Sequence, residues 1–240
     1  MDSLDISCWP PPWLKRRASL TPQRLALESG SRQWNYQQLQ CAVEQLSGVL
    51  RAGGVRSGDL VAVELPDGAG AVLLVHALQA CGAVMLPLNT RLADAERVAM
   101  LRRWPVRRVL CPGSSAASYD GFRRVPLGQP LAVAGTLSLL ERVRPAGEGD
   151  HAERLHSAQM VVPTSGTSGV PKGVVLGAEN FLASAGAVGR LLGLSADDRW
   201  LLCMPLFHVA GLALVTRCAL LGSAIVQLNG FDEAAVSAAL

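Results

Sequence analysis

Leu60-Val61-Ala62-Val63-Glu64-Leu65-Pro66-Asp67-Gly68-Ala69-Gly70-Ala71-Val72-Leu73-Leu74-Val75-His76-Ala77-Leu78-Gln79-Ala80-Cys81-Gly82-Ala83-Val84-Met85-Leu86-Pro87-Leu88 is the most apolar stretch of the chain. Within it the most apolar run, 69–88, nears the length of a membrane span, but His76, Gln79 and Gly82 interrupt it and Pro87 comes near its end. The mostly apolar run at 60–65 reads as a strand, Pro66-Asp67-Gly68 as a turn, and 69–81 as a buried helix. Gly82 ends that helix and leads into a strand at 83–88. Strand, helix and strand in this order make a crossover, which requires the two strands to be parallel.

The alternation continues on both sides. A short helix at 13–18 ends near Thr21-Pro22, and 24–28 reads as a strand. Asn35 and Gln38 stand at capping-box spacing before Leu39, Val43, Leu46 and Leu50, which recur at helical period. Gly53-Gly54 closes that helix. Downstream, 92–104 reads as a helix and 106–111 as a strand, whereas 112–130 is polar and irregular. A linker is expected at 145–150. Beyond it come strands at 160–162 and 174–176, a helix at 179–192 and a strand at 200–204. The expected fold is α/β, with layered, largely parallel sheets and covering helices. The expected division is an α/β subdomain at 1–150 and a second subdomain at 151–240.

Composition narrows the class. Of 240 residues, 50% are apolar and 17% charged, enough for a sizeable core. The formal charge of +3 is spread over scattered arginines, so no basic stripe for nucleic acid forms. Cys8, Cys41, Cys81, Cys111, Cys203 and Cys218 are far apart and lack Cys-x-x-Cys spacing, which favours reduced thiols in the cytoplasm over disulfides or zinc. His151 and His156 lack a metal-ligand pattern, so no metal site is expected within the chain. The N-terminus has no signal-peptide character.

Thr164-Ser165-Gly166-Thr167-Ser168-Gly169-Val170-Pro171-Lys172-Gly173 has a different character. Small hydroxyl and glycine residues cannot build a core, yet they offer backbone N–H groups and hydroxyls beside one ammonium. That inventory suits a phosphate. It is not a Walker A loop, because Pro171 and Gly173 occupy the places of the second glycine and the hydroxyl. Lys172 is one of two lysines among 22 basic residues, a compact point charge in a chain that otherwise uses the guanidinium fork.

Met204-Pro205-Leu206-Phe207-His208-Val209-Ala210-Gly211-Leu212 is the second such stretch. A strand ends near Pro205 and an apolar helix follows at 209–221. Phe207 and His208 therefore sit at a strand's carboxyl end, where open α/β sheets bind ligands.

The first stretch resembles the phosphate-binding signature of the adenylate-forming superfamily of acyl-CoA synthetases, luciferases and peptide-synthetase adenylation domains. Thr167-Ser168 replaces the usual Thr-Thr and keeps a hydroxyl. Residues 204–212 resemble that family's acyl-pocket signature. With Arg217, Gly222 and Phe231-Asp232, they are most similar to the ligases that couple o-succinylbenzoate to coenzyme A in menaquinone or phylloquinone synthesis.

The resemblance implies a carboxylate attacking the α-phosphorus of Mg²⁺-bound ATP, then thioester formation with coenzyme A. Thr164, Ser165, Gly166, Thr167, Ser168, Gly169 and Lys172 are the expected nucleotide ligands, with Lys172 and His208 as catalytic candidates. Phe207, His208 and Arg217 are the expected acid-binding residues, Arg217 for a second carboxylate. The alternative is that Arg217 reaches solvent or an internal carboxylate.

Members of this family are about twice as long. The adenine, ribose and Mg²⁺ residues and the mobile C-terminal domain have no counterpart among these residues, so the chain is expected to be an N-terminal portion, inactive alone and prone to self-association. An adenylation module that loads a carrier protein and a non-catalytic nucleotide-binding module remain open as alternatives.

Overall fold

In the computed structural model, which describes residues 6, 10–66, 68–113, 119–125, 137–143, 158–164 and 172–239, the first half opens with α1 (Trp13–Leu20) and the hairpin β1 (Leu25–Ser29) and β2 (Arg32–Asn35). Then come α2 (Tyr36–Ala52), β3 (Leu60–Val63), α3 (Ala69–Cys81), β4 (Val84–Pro87), α4 (Asp94–Arg103) and β5 (Val106–Pro112). β6 (Phe122–Val125), β7 (Leu137–Arg142), β8 (Ala158–Thr164) and β9 (Lys172–Gly177) follow. The last elements are α5 (Ala178–Leu192), β10 (Arg199–Leu202), α6 (Val209–Leu221), β11 (Ala224–Gln227) and α7 (Glu233–Ala239).

Local chemistry accounts for the helix ends. The Asn35 side chain accepts from the Gln38 amide at 2.8 Å, while the Gln38 side chain accepts from the Asn35 amide at 3.0 Å. This capping box starts α2. Gly82 ends α3 at φ +68°, a left-handed conformation that glycine adopts without a Cβ penalty. The Asp232 carboxylate accepts from the Ala235 amide at 2.8 Å and caps α7.

The strands form two sheets. One has seven strands in the order β6-β7-β5-β3-β4-β8-β9, the other four in the order β10-β11-β1-β2. β5, β3, β4 and β8 are parallel, as are β10, β11 and β1. β6, β7, β9 and β2 pair antiparallel. Val61 and Val63 face a core that also holds Leu27 and Ile225 of the smaller sheet and apolar residues of α2, α3 and α6. Leu60 and Ala62 face a second cluster with Met100, Leu101 and Val109, the period-two alternation of a strand covered on both faces.

Three differences from the sequence expectations stand out. Residues 122–125, expected to be irregular, form β6 on the rim of the larger sheet, and its two arginines hide the apolar alternation. β2, β7 and β11 are further strands the periodicity does not announce. The division at 1–150 and 151–240 cuts across both sheets: β8 and β9 complete the larger one, and β10 and β11 join β1 and β2. The linker expected at 145–150 lies outside the described residues. Among the described residues no helix is long and apolar enough to cross a membrane, and Cys41, Cys81, Cys111, Cys203 and Cys218 are free thiols.

Candidate functional site

Parallel strands leave their carboxyl ends on one edge, and the chain there must turn through loops. At the edge where the two sheets meet, these loops enclose a cavity of about 240 Å³. Leu65, Pro66 and Gly68 after β3, and Leu88, Thr90 and Arg91 after β4, supply the larger sheet's wall. Met204 to Phe207 after β10, and Leu228, Asn229 and Gly230 after β11, supply the smaller sheet's wall. The place is the crevice outside strand carboxyl ends where α/β folds bind ligands.

Phe207 is on the wall. The Arg91 guanidinium lies 5.7 Å from its ring centroid, so a cation–π contact bridges the two walls. The His208 ring is 4.5 Å from Phe207, centroid to centroid, and is exposed. His208 is the N-cap residue of α6. The free N–H groups of that helix's first turn give this end a partial positive charge.

Thr164 and Lys172 are the last pair of the β8–β9 hairpin, and the Thr164 hydroxyl donates to the Lys172 carbonyl at 3.2 Å. β8 runs parallel to β4, so both residues stand at the same sheet edge as Thr90 and Arg91. Ser165, Gly166, Thr167, Ser168 and Gly169 lie outside the described residues.

Arg217 is elsewhere on α6. Nine residues past His208, it stands roughly 13 Å along the helix from it at 1.5 Å per residue. It is not among the described residues that line the cavity. Its guanidinium stacks 5.2 Å above the Trp200 ring. Its buried Nε has no hydrogen-bond partner among the described residues, and burial pulls its pKa below the usual arginine range. Such an atom is costly to leave unpaired.

Arg91, Thr90 and Asn229 are the wall residues that reasoning on the sequence passed over. A signal existed for the first two, which directly follow the expected strand at 83–88. None existed for Asn229, because β11 was not expected. Among the described residues, no three His, Cys, Asp or Glu side chains cluster to hold a metal ion.

Comparison with known proteins agrees with this architecture. Residues 14–240 match the family model described as AMP-binding enzyme. The chain is 34% identical over 230 residues to the 2-succinylbenzoate–CoA ligase of Bacillus cereus (strain AH820), covering 96% of this chain and 45% of that protein. The ligase of the same name from Bacillus licheniformis is 32% identical over 222 residues, covering 92% and 45%. The chain thus spans less than half the length of these curated relatives.

Among solved structures, o-succinylbenzoate coenzyme A synthetase (MenE) from Bacillus subtilis in complex with AMP matches with a TM-score of 0.77 and 27% identity, covering 96% of this chain and 58% of that one. The N-terminal domain of FACL13 from Mycobacterium tuberculosis matches with a TM-score of 0.74 and 28% identity, covering 94% and 58%. A glycine- and hydroxyl-rich sequence between the paired Thr164 and Lys172, an aromatic wall at Phe207 and a family match over residues 14–240 converge: this chain belongs to the AMP-binding enzyme family.

Proposed function

We propose that the protein carrying this chain is an AMP-forming acid–CoA ligase whose acid is o-succinylbenzoate, acting in menaquinone or phylloquinone synthesis in the cytoplasm. One observation carries the reading. The hairpin that ends in Lys172 opens on the same sheet edge as the cavity walled by Phe207, so a phosphate donor and an acid can meet there. Two relatives and a solved neighbour that bear this enzyme's name support the substrate.

ATP enters as its Mg²⁺ complex and is a substrate. A carboxylate oxygen forms a bond to the α-phosphorus while the bond to the β-phosphate bridging oxygen breaks, giving acyl-AMP and pyrophosphate. The coenzyme A thiol then loses its proton, attacks the acyl carbon and expels AMP. Lys172 and the hairpin amides hold the departing phosphates by charge and hydrogen bonds. Phe207 shapes the acid's slot, and His208 with the N-terminus of α6 faces the carboxylate. Arg217, with its buried unpaired Nε, is the candidate for the second carboxylate of the acid.

The test is ATP–pyrophosphate exchange in the protein carrying this chain, with o-succinylbenzoate, benzoate or a fatty acid as the acid. Exchange that depends on o-succinylbenzoate, followed by its CoA thioester, is expected. Exchange with another acid alone overturns the substrate, and transfer to a carrier domain in place of coenzyme A overturns the acceptor.

A further inference from the structure

Glu64 and Arg97 are both buried, at 3% and 8% exposure. Arg97 Nη1 donates to Glu64 Oε1 at 2.5 Å, its Nη2 donates to Asp94, and the Tyr119 hydroxyl donates to the same Glu64 oxygen. A buried ion pair seldom stabilises a fold more than an apolar pair of equal volume would. Its value therefore lies in direction, because a guanidinium fork meets a carboxylate in few orientations.

The place of the two residues shows what is directed. Glu64 directly follows β3, its amide held by the Leu110 carbonyl at 2.8 Å, and the next two residues, Leu65 and Pro66, line the cavity. Arg97 is in the first turn of α4, just after the connection whose Thr90 and Arg91 line the same wall. That connection is further held by the Ala93 amide donating to Glu96 at 2.9 Å. The ion pair is a side-chain tie between the β3–α3 and β4–α4 connections, immediately behind the larger sheet's wall.

We propose that Glu64 and Arg97 are positioning residues that set the spacing of this wall and, through Leu65 and Arg91, the fit of the acid. The substrate part rests on the ligase reading; the structural part does not. Two variants separate them. E64L/R97M exchanges the pair for apolar side chains and is expected to keep the fold. R97K keeps the charge and loses the fork.

Hydrogen exchange on the 240-residue chain is the first measurement. Amides at 65, 68–71 and 90–93 should exchange at least about tenfold faster in E64L/R97M and about threefold faster in R97K, with α6 and β5 unchanged. Unchanged protection at these amides in either folded variant, or a rise spread over the whole chain, overturns the proposal. Pyrophosphate exchange in the protein carrying this chain is the second. KM for the acid should rise about tenfold and KM for ATP by less than about twofold. Equal shifts in both overturn the link to the acid. A wild type with no acid-dependent exchange overturns the ligase reading, while hydrogen exchange still decides the structural part.

Discussion

Arg17 in α1 closes the far end of α6 at Leu220: its Nη2 donates to the Leu220 carbonyl at 2.5 Å and its Nε to the Ala219 carbonyl at 3.2 Å. The last carbonyls of a helix have no partner within it, and a cation there also meets the negative end of the helix dipole. Arg17→Met keeps the stem and strands both carbonyls in the core, and is expected to cost about 3 kcal/mol. Urea unfolding of the 240-residue chain measures it. A loss below about 0.5 kcal/mol, the range of neutral surface changes, would show that the contact is dispensable. Gly222→Ala strains the same junction, since its φ is +87° and a Cβ would lie 3.0 Å from Arg17.

His76 gives a pH signature. It is buried in α3, and desolvation lowers its pKa from 6.5 to about 4, opposed by the hydrogen bond to Gln79. The folded form thus takes its proton at lower pH than the unfolded chain does. Stability contributed by the neutral ring is full above pH 6.5 and falls as the pH drops from 6.5 towards 4. The loss reaches about 3 kcal/mol. His76→Gln should flatten that window in urea titrations at several pH values; an unchanged slope would count against a buried neutral imidazole.

Lys172→Ala removes the charge at the mouth of the β8–β9 hairpin. Charge-assisted hydrogen bonds to phosphate are worth about 1.5–3 kcal/mol, so acid-dependent pyrophosphate exchange should fall roughly ten- to a hundredfold. Exchange at the wild-type rate would take Lys172 out of the site.

Arg217 and His208 are expected to act on the acid and not on the nucleotide. Arg217→Leu should weaken use of o-succinylbenzoate by at least about tenfold, while a monocarboxylic analogue loses little. Equal losses on both would assign Arg217 to its stacking on Trp200 alone. His208→Ala should change KM for the acid more than KM for ATP, and the opposite pattern would place it at the phosphates.

The helices were legible because their limits are written locally. α3 and α6 end where expected, at Cys81 and Leu221, since an apolar run followed by a positive-φ glycine leaves little choice. β2, β6, β7 and β11 were not: β2 and β6 are short edge strands that carry polar residues, β7 is an inner strand that mixes leucines with Ser138, Glu141 and Arg142, and β11 pairs on one side with β1, nearly two hundred residues earlier. The site divides the same way. Phe207 could be placed from the strand before it, but the opposite wall at Thr90 and Arg91 and the reach of Asn229 exist only once two sheets share an edge. The pairing of Glu64 with Arg97 left no trace in either local pattern.

The pairing of β1 with β11 brings Leu27 beside Ile225 and governs how the molecule can be made. The β1–β2 hairpin leaves the ribosome well ahead of β11, so Ala26 and Leu27, nearly inaccessible in the finished fold, have no β11 to meet until roughly two hundred more residues are added. At ordinary elongation rates that interval is roughly 10–40 s, far longer than a hairpin needs to form. Throughout it the nascent chain offers an apolar ribbon to whatever is nearby, which makes early engagement by a ribosome-associated chaperone the natural safeguard for this topology.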